Sequence, residues 1–152
     1  MEGMYKVCDV KLTYSTKVKS SERAVIKTSK DAYTLLLEHI YDPDTIEHKE
    51  YFKVMLLNRA NKVLGVSHIS EGGINETSAD IRIIMQAAIL GNASGIILSH
   101  NHPSGSKQPS SQDDQLTDRV NKAAKLFNIS LLDHIIVTDS GFYSYADEGR
   151  IL

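Results

Sequence analysis

The stretch I-L-S-H-N-H-P-S-G, residues 97–105, places two imidazoles one residue apart at the end of an apolar run. In an extended strand alternate side chains leave on the same face, so His100 and His102 project together. Their Cα atoms stand about 7 Å apart in such a strand. That lets both rings converge on one metal ion at a Zn–N distance of about 2.1 Å. Pro103 has no N–H to offer a ladder and cannot continue a central strand. The pair is therefore expected at the carboxyl end of its strand, where the crevice of an α/β sheet forms. Two such histidines can also be edge residues satisfied by ordinary hydrogen bonds. A third ligand changes the balance.

Downstream, P-S-S-Q-D-D-Q-L-T-D-R-V-N-K-A-A-K-L-F carries Leu116, Val120, Ala123 and Phe127 at helical spacing. Asp113 lies three residues before Leu116 and shares that inward side, whereas Asp114 and Asp118 fall on the polar side. A carboxylate in the first turn has two uses. It can close a capping box with Ser110, or it can ligate a metal held by the preceding strand. The histidine pair just before it favours the ligand. Two histidines and one aspartate leave the fourth position of a tetrahedral zinc open, as in a catalytic site. Such an ion lowers the pKa of water to about 7 and polarises a carbonyl. A carboxylate base is still required nearby. Glu47, Glu50, Glu71 and Glu76 are the candidates, and periodicity does not choose among them.

These residues need elements to hold them. S-G-I-I-L-S-H is a near-continuous apolar strand, expected to be central and covered on both faces. A helix is expected from Ser110. Y-F-K-V-M-L-L-N and V-L-G-V-S-H-I-S flank the turn residues N-R-A-N-K and read as a hairpin. Thr28 or Ser29 caps a helix with Ala32, Leu35, Leu36 and Ile40 on one stripe. E-G-G-I-N-E-T-S is a loop, after which Ser78 is expected to cap a helix that stops at Gly91. S-L-L-D-H-I-I-V, a D-S-G turn and F-Y-S-Y close the sheet. Upstream, residues 5–14 alternate through Val10, Leu12 and Tyr14 and read as a strand, with 24–27 as a second short strand. The expected architecture is an α/β sandwich around a mixed sheet. A β extension occupies residues 1–27, and one globular domain spans 28–152.

The chain has 152 residues, enough for one domain with a sizeable core. Seventeen basic residues against nineteen acidic ones give a net charge of −2, so no global field drives it to phosphate backbones. The one basic stretch, Lys17, Lys19, Arg23, Lys27 and Lys30, reads as a solvated face. No apolar run approaches about 18 residues, and the start lacks signal-peptide character, so a cytoplasmic setting is expected. With Cys8 as the sole cysteine no disulfide framework can form. Cys8 is expected to be a small buried hydrophobe.

The combination H-N-H-P-S-G followed by P-S-S-Q-D, residues 109–113, resembles the JAMM motif of MPN-domain metalloproteases. E-Y-F-K-V-M-L-L-N, A-A-I-L-G-N-A-S-G-I-I-L-S-H-N-H-P-S-G, L-L-D-H-I-I-V and F-Y-S-Y-A-D-E-G extend the likeness to the RadC-like branch over roughly residues 28–152. The resemblance implies a cytidine-deaminase-like α-β-α sandwich with one zinc on His100, His102 and Asp113. It implies Ser110 as the residue that steadies an oxyanion and Glu50 as the general base. The implied reaction is hydrolysis of a peptide or isopeptide bond by a zinc-activated water. Asp133 and His134 match a recurrent segment of the family and are expected to support the site or satisfy the core. Two departures stand out. The helix-hairpin-helix region that RadC-like proteins often carry is not seen before residue 28. The loop after the second hairpin strand reads Ser70-Glu71-Gly72-Gly73 in place of a basic residue before Gly-Thr, which makes Glu71 a second candidate acid.

Other chemistries fit less well. The tripeptide His100-Asn101-His102 is not the motif of HNH nucleases, whose three letters lie far apart. A zinc deaminase needs P-C-x-x-C, which a chain with one cysteine cannot supply. No G-x-S-x-G elbow marks a serine hydrolase. A scaffold MPN domain, or a DNA-repair role through a protein or DNA partner, is the alternative function. Direct nucleic-acid binding is disfavoured by the balanced charge.

Overall fold

The computed structural model describes residues 6–8, 10, 11, 13–72 and 78–151. Its centre is the strand β3, Gly95–Asn101, in which all seven residues are buried. β1 (Tyr51–Leu57) pairs with it antiparallel on one side, and β4 (Ser130–Thr138) pairs parallel on the other. β2 (Val63–Glu71) and β5 (Gly141–Ser144) complete a five-stranded mixed sheet in the order β2-β1-β3-β4-β5. A strand in the middle of such a sheet has its backbone satisfied on both sides and needs apolar side chains on both faces. The Gly-Ile-Ile-Leu run supplies them.

Helices cover the two faces. α1 (Ser29–Leu35) starts at Thr28, whose hydroxyl accepts from Asp31 N at 3.2 Å. Its last turn relaxes into a π-type turn over Leu36–Ile40, closed by Tyr41 N donating to Leu36 O at 2.8 Å. This helix covers Met55, Leu57, Ile97, Ile135 and Val137. α2 (Ile81–Leu90) and α3 (Ser111–Leu126) cover the opposite face, burying Phe52, Val54, Leu56, Ile96 and Leu98. The result is the α-β-α sandwich that the alternation of elements predicts. Burying each large aliphatic side chain contributes roughly 1.5–3 kcal/mol, so β3 is a rigid base for whatever follows it.

Loop chemistry sets the strand ends. In the β1–β2 turn the Asn58 side chain accepts from Ala60 N and Lys62 N, both at 3.0 Å, while Asn61 takes the left-handed conformation. At the end of α2 the left-handed residue is Asn92, not Gly91. Gly91 is needed for a close approach instead: a Cβ there would stand 2.4 Å from Leu56 Cδ1 and 2.8 Å from Ala87 O.

Several expectations are corrected. Among the described residues of 6–19 none lies in a strand, and Val10 and Tyr14 are exposed. Leu12 lies outside the described residues. Alternation specifies a strand only where an edge and an apolar partner await it. Residues 24–27 form only an isolated bridge, Val25 to Lys62, flanked by Val63 N donating to Ala24 O and Ile26 N donating to Asn61 O, both at 2.9 Å, while Ile26 packs in the core with Met55 and Leu57. Among the described residues of 1–27 the expected β extension is therefore no strand but a bridge and a few hydrogen bonds, including Lys62 Nζ to Ser20 O and Oγ at 3.1 Å. Cys8 is exposed rather than buried, as are the described residues beside it, Val7 and Val10. α2 is capped by Asp80, which accepts from Arg82 N at 2.8 Å, and not by Ser78. The buried stripe of α3 is Thr117, Val120 and Ala124, with Phe127 exposed past the helix end. Asp114 is not simply solvated, since it takes Tyr145 Oη and Arg150 Nη2, each at 2.7 Å.

Candidate metal centre

The β3 strand ends at Asn101, and the chain then turns sharply. Gly105 N donates to His102 O at 3.0 Å, with Pro103 and Ser104 at the corner. Gly105 has φ +81°, a left-handed value that costs other residues strain. This turn presents the carbonyl of Ser106 to the His102 ring, and His102 Nδ1 meets it at 2.7 Å. A carbonyl only accepts, so His102 carries its proton on Nδ1 and its lone pair on Nε2. His100, 1% exposed, stacks on Phe52 of the paired strand, with ring centroids 5.9 Å apart and planes 7° apart.

The two Nε2 atoms stand 3.0 Å apart. Asp113 closes the triangle: Oδ1 is 3.3 Å from His100 Nε2 and Oδ2 is 3.5 Å from His102 Nε2. The two uses of Asp113 weighed from the sequence coexist. Oδ2 accepts from Ser110 N at 2.8 Å while Ser110 Oγ accepts from Asp113 N at 3.1 Å. The capping box therefore aims the carboxylate at the histidines instead of competing with them.

Electron-pair donors that converge this closely demand a cation. With a proton as that cation, the electrostatics follow. Burial opposes ionisation of Asp113, but the His100 and His102 imidazoles that share this proton, together with the Ser110 N–H, outweigh it and hold the carboxyl far below its usual range. Burial alone would lower His102, yet the Asp113 carboxylate and the Ser106 carbonyl raise it. A divalent ion can take the proton's place, since one ligand atom from each of the three residues lies within 4.8 Å of the others. The donor set of two imidazole nitrogens and a carboxylate suits zinc or a similar first-row ion.

Around this centre lies a cleft of about 560 Å³, lined in part by Glu50, Phe52, His100, His102, Ser110 and Asp113. Glu50 directly precedes β1 and is buried. It is close enough to His102 and Tyr41 to act on both electrostatically. Glu71 is not part of the cleft lining: it is exposed and ion-paired with Lys49, which lowers its pKa. Glu47 is exposed, and Glu76 lies outside the described residues.

The matched family model is decisive. It is that of the RadC-like JAB domain, and it aligns with residues 26–150. The chain belongs to this family. Relatives of the RadC-like domain agree with that placement. A UPF0758 protein of Porphyromonas gingivalis is 45% identical over 141 residues, covering 90% of this chain and 60% of the relative. One of Flavobacterium johnsoniae is 39% identical over 124 residues, covering 82% of this chain and 52% of the relative. One of Clostridium acetobutylicum is 37% identical over 133 residues, with 88% and 56% covered. Their names state no activity, and the RadC-like chain spans only half to three-fifths of their length.

Within this RadC-like domain the structure also brings in residues that sequence reasoning passed over. Asn101, between the two histidines, points to the other face and is fully buried. Its Nδ2 donates to Ile46 O at 2.6 Å and Lys49 O at 2.9 Å, and its Oδ1 accepts from Tyr51 N at 2.7 Å. One amide thereby staples the loop carrying Glu50 to the strand carrying His100. A buried Asn in an apolar strand was the available signal. Thr117 is the other, and its position one helical turn after Asp113 was the clue. Asp133 satisfies the core: Ser144 Oγ, His134 N and Ala146 N donate to it at 2.6, 2.7 and 3.0 Å. Among the described residues no helix is long and apolar enough to cross a membrane.

Proposed function

We propose that this chain is a zinc-dependent amide hydrolase acting on peptide or isopeptide bonds. The observation that carries the reading is the convergence of His100, His102 and Asp113 in a cleft that also holds Glu50 and Ser110. His100 and His102 would bind zinc through Nε2 and Asp113 through its carboxylate. Once bound, such an ion acidifies water and polarises a carbonyl. Glu50 accepts the proton of the attacking water and returns it to the leaving amine. It is buried at the start of β1 and lines the same cleft as the three ligands. Ser110 Oγ uses a lone pair on Asp113 N–H, which leaves its O–H to donate to the developing oxyanion. Gln112, Gln115, Leu116 and Arg119 recur at helical spacing along one wall of the cleft, giving an extended substrate a mixed polar and apolar track.

The test is metal content by mass spectrometry, followed by cleavage of mixed peptide and isopeptide-linked libraries. The expected result is about one zinc per chain, lost in His102→Ala and in Asp113→Asn. Glu50→Gln should keep the zinc and lose cleavage by at least about 100-fold. A wild-type protein that takes up no metal after zinc dialysis overturns the reading.

A further inference from the structure

His134 lies on β4, is wholly buried, and faces the back of His100. His100 Nδ1 and His134 Nε2 are 2.8 Å apart, and His134 Nδ1 is 2.6 Å from Thr117 Oγ1. Thr117 Oγ1 in turn lies 2.7 Å from the backbone carbonyl of Asp113. We propose that Thr117 and His134 are positioning residues: their hydrogen-bond chain fixes His100 as the Nδ1–H tautomer and leaves its Nε2 lone pair for the metal.

The direction of every proton follows from the end of the chain. A carbonyl oxygen cannot donate, so the single hydroxyl proton of Thr117 must point at Asp113 O. Were it turned toward His134, two acceptors would face each other across 2.7 Å with no proton between them. Thr117 therefore receives a proton from His134 Nδ1–H. A second proton on His134 Nε2 would make a buried cation with no anion touching it, a state that burial disfavours. His134 Nε2 is then an acceptor, and His100 Nδ1–H donates to it. His100 Nε2 is left as the atom that faces Asp113, its lone pair open to the bridging proton or to a metal in that proton's place. The rings cannot swing out of this arrangement. Phe52 stacks on His100, and Tyr145 stacks on His134 with centroids 5.0 Å apart and planes 12° apart.

The chain also links two ligands. Thr117 is hydrogen-bonded to the backbone of Asp113, and its relay ends on His100. Helix α3 and strand β3 thus present their ligands in one register through two side chains on a third element and on α3 itself. This inference rests on the metal-centre reading for its consequence, but not for its proton positions.

Two measurements test it. Long-range proton–nitrogen NMR on the metal-free wild type, slightly above neutral pH, should show His100 and His134 both protonated at Nδ1. His100 with no proton on Nδ1 overturns the proposal, whether or not metal binds. Zinc affinity by chelator competition then compares Thr117→Val with Thr117→Ser. The valine variant, isosteric but without a hydroxyl, should bind about 10- to 100-fold more weakly. The serine variant should stay within a few-fold of wild type. Equal affinity in wild type and in folded Thr117→Val overturns the relay while leaving the metal centre standing. No zinc binding by wild type overturns the metal centre, and the NMR result alone then decides the relay. If Thr117→Val does not fold, His134→Gln, which keeps an acceptor amide near His100, should retain more affinity than His134→Phe, and equal affinity in those two overturns it.

Discussion

At the scale of single residues, the candidate site is a set of proton positions as much as a set of side chains. His102 is assigned by the Ser106 carbonyl and His134 by Thr117. His134 also makes a prediction about pH. Burial and the nearby His100 push its pKa well below the ordinary value. In the unfolded chain it takes up a proton below about pH 6.5, whereas the folded chain excludes that proton. The unfolded state then binds more protons, so stability falls as pH falls. Urea melts of the metal-free protein should show this loss below about pH 6.5, with a slope of up to about 1.4 kcal/mol per unit. His134→Gln should remove that contribution, and identical pH slopes in the two proteins would contradict it. Asp113→Asn gives a contrast at the same scale. An asparagine oxygen can still accept from Ser110 N–H. The variant should therefore lose the metal yet unfold within about 1 kcal/mol of the metal-free wild type, as read by denaturant melts under chelation.

At the scale of elements, the turn after β3 and the cap of α3 each serve two purposes. The left-handed Gly105 places the Ser106 carbonyl behind His102. Gly105→Ala should cost about 1–2 kcal/mol and weaken metal binding. Strain alone would lower stability without changing affinity, so paired melts and chelator competition separate the two effects. Ser110 is both N-cap and the proposed oxyanion donor. Ser110→Ala should destabilise by about 1 kcal/mol and slow cleavage, whereas Ser110→Thr should cap nearly as well. Equal cleavage by Ser110→Ala and wild type would remove the oxyanion role and leave only the cap.

At the scale of the whole molecule, β3 is the common frame. Its apolar residues pack under helices on both faces, and its end carries the ligands. Leu98→Ala should destabilise by about 2–5 kcal/mol in denaturant melts. Phe127→Ser, at an exposed aromatic just beyond α3, should change stability by about 0.5 kcal/mol or less. The chain covers about half of the relatives it matches, so any substrate-recruiting role of the remaining length lies outside this domain's own geometry.

The sequence by itself determined what is local or periodic. The Gly-Ile-Ile-Leu run of β3, the hairpin, the Ser110 cap and the His-x-His-Pro spacing are short-range patterns, and each element lies where its pattern predicts. The wholly local signal also misled: residues 5–14 alternate like a strand, but their described residues have no strand partner and stay exposed. On α3 the expected Leu116, Val120 and Ala123 do face the core, but its most buried row also takes in Thr117 and Ala124 and leaves Phe127 exposed, since helical spacing alone does not say which adjacent row meets the sheet. Periodicity does not separate the glutamates and the resemblance points to Glu50; only tertiary structure shows that Glu50 lines the cleft while Glu71 pairs with Lys49 outside it. The same holds for His134 and Thr117. They come from different elements, 17 residues apart: His134 meets His100 across a parallel strand pair, and Thr117 reaches His134 from α3. Hydrogen bonds at such separation depend on sheet order and register, which no local pattern encodes.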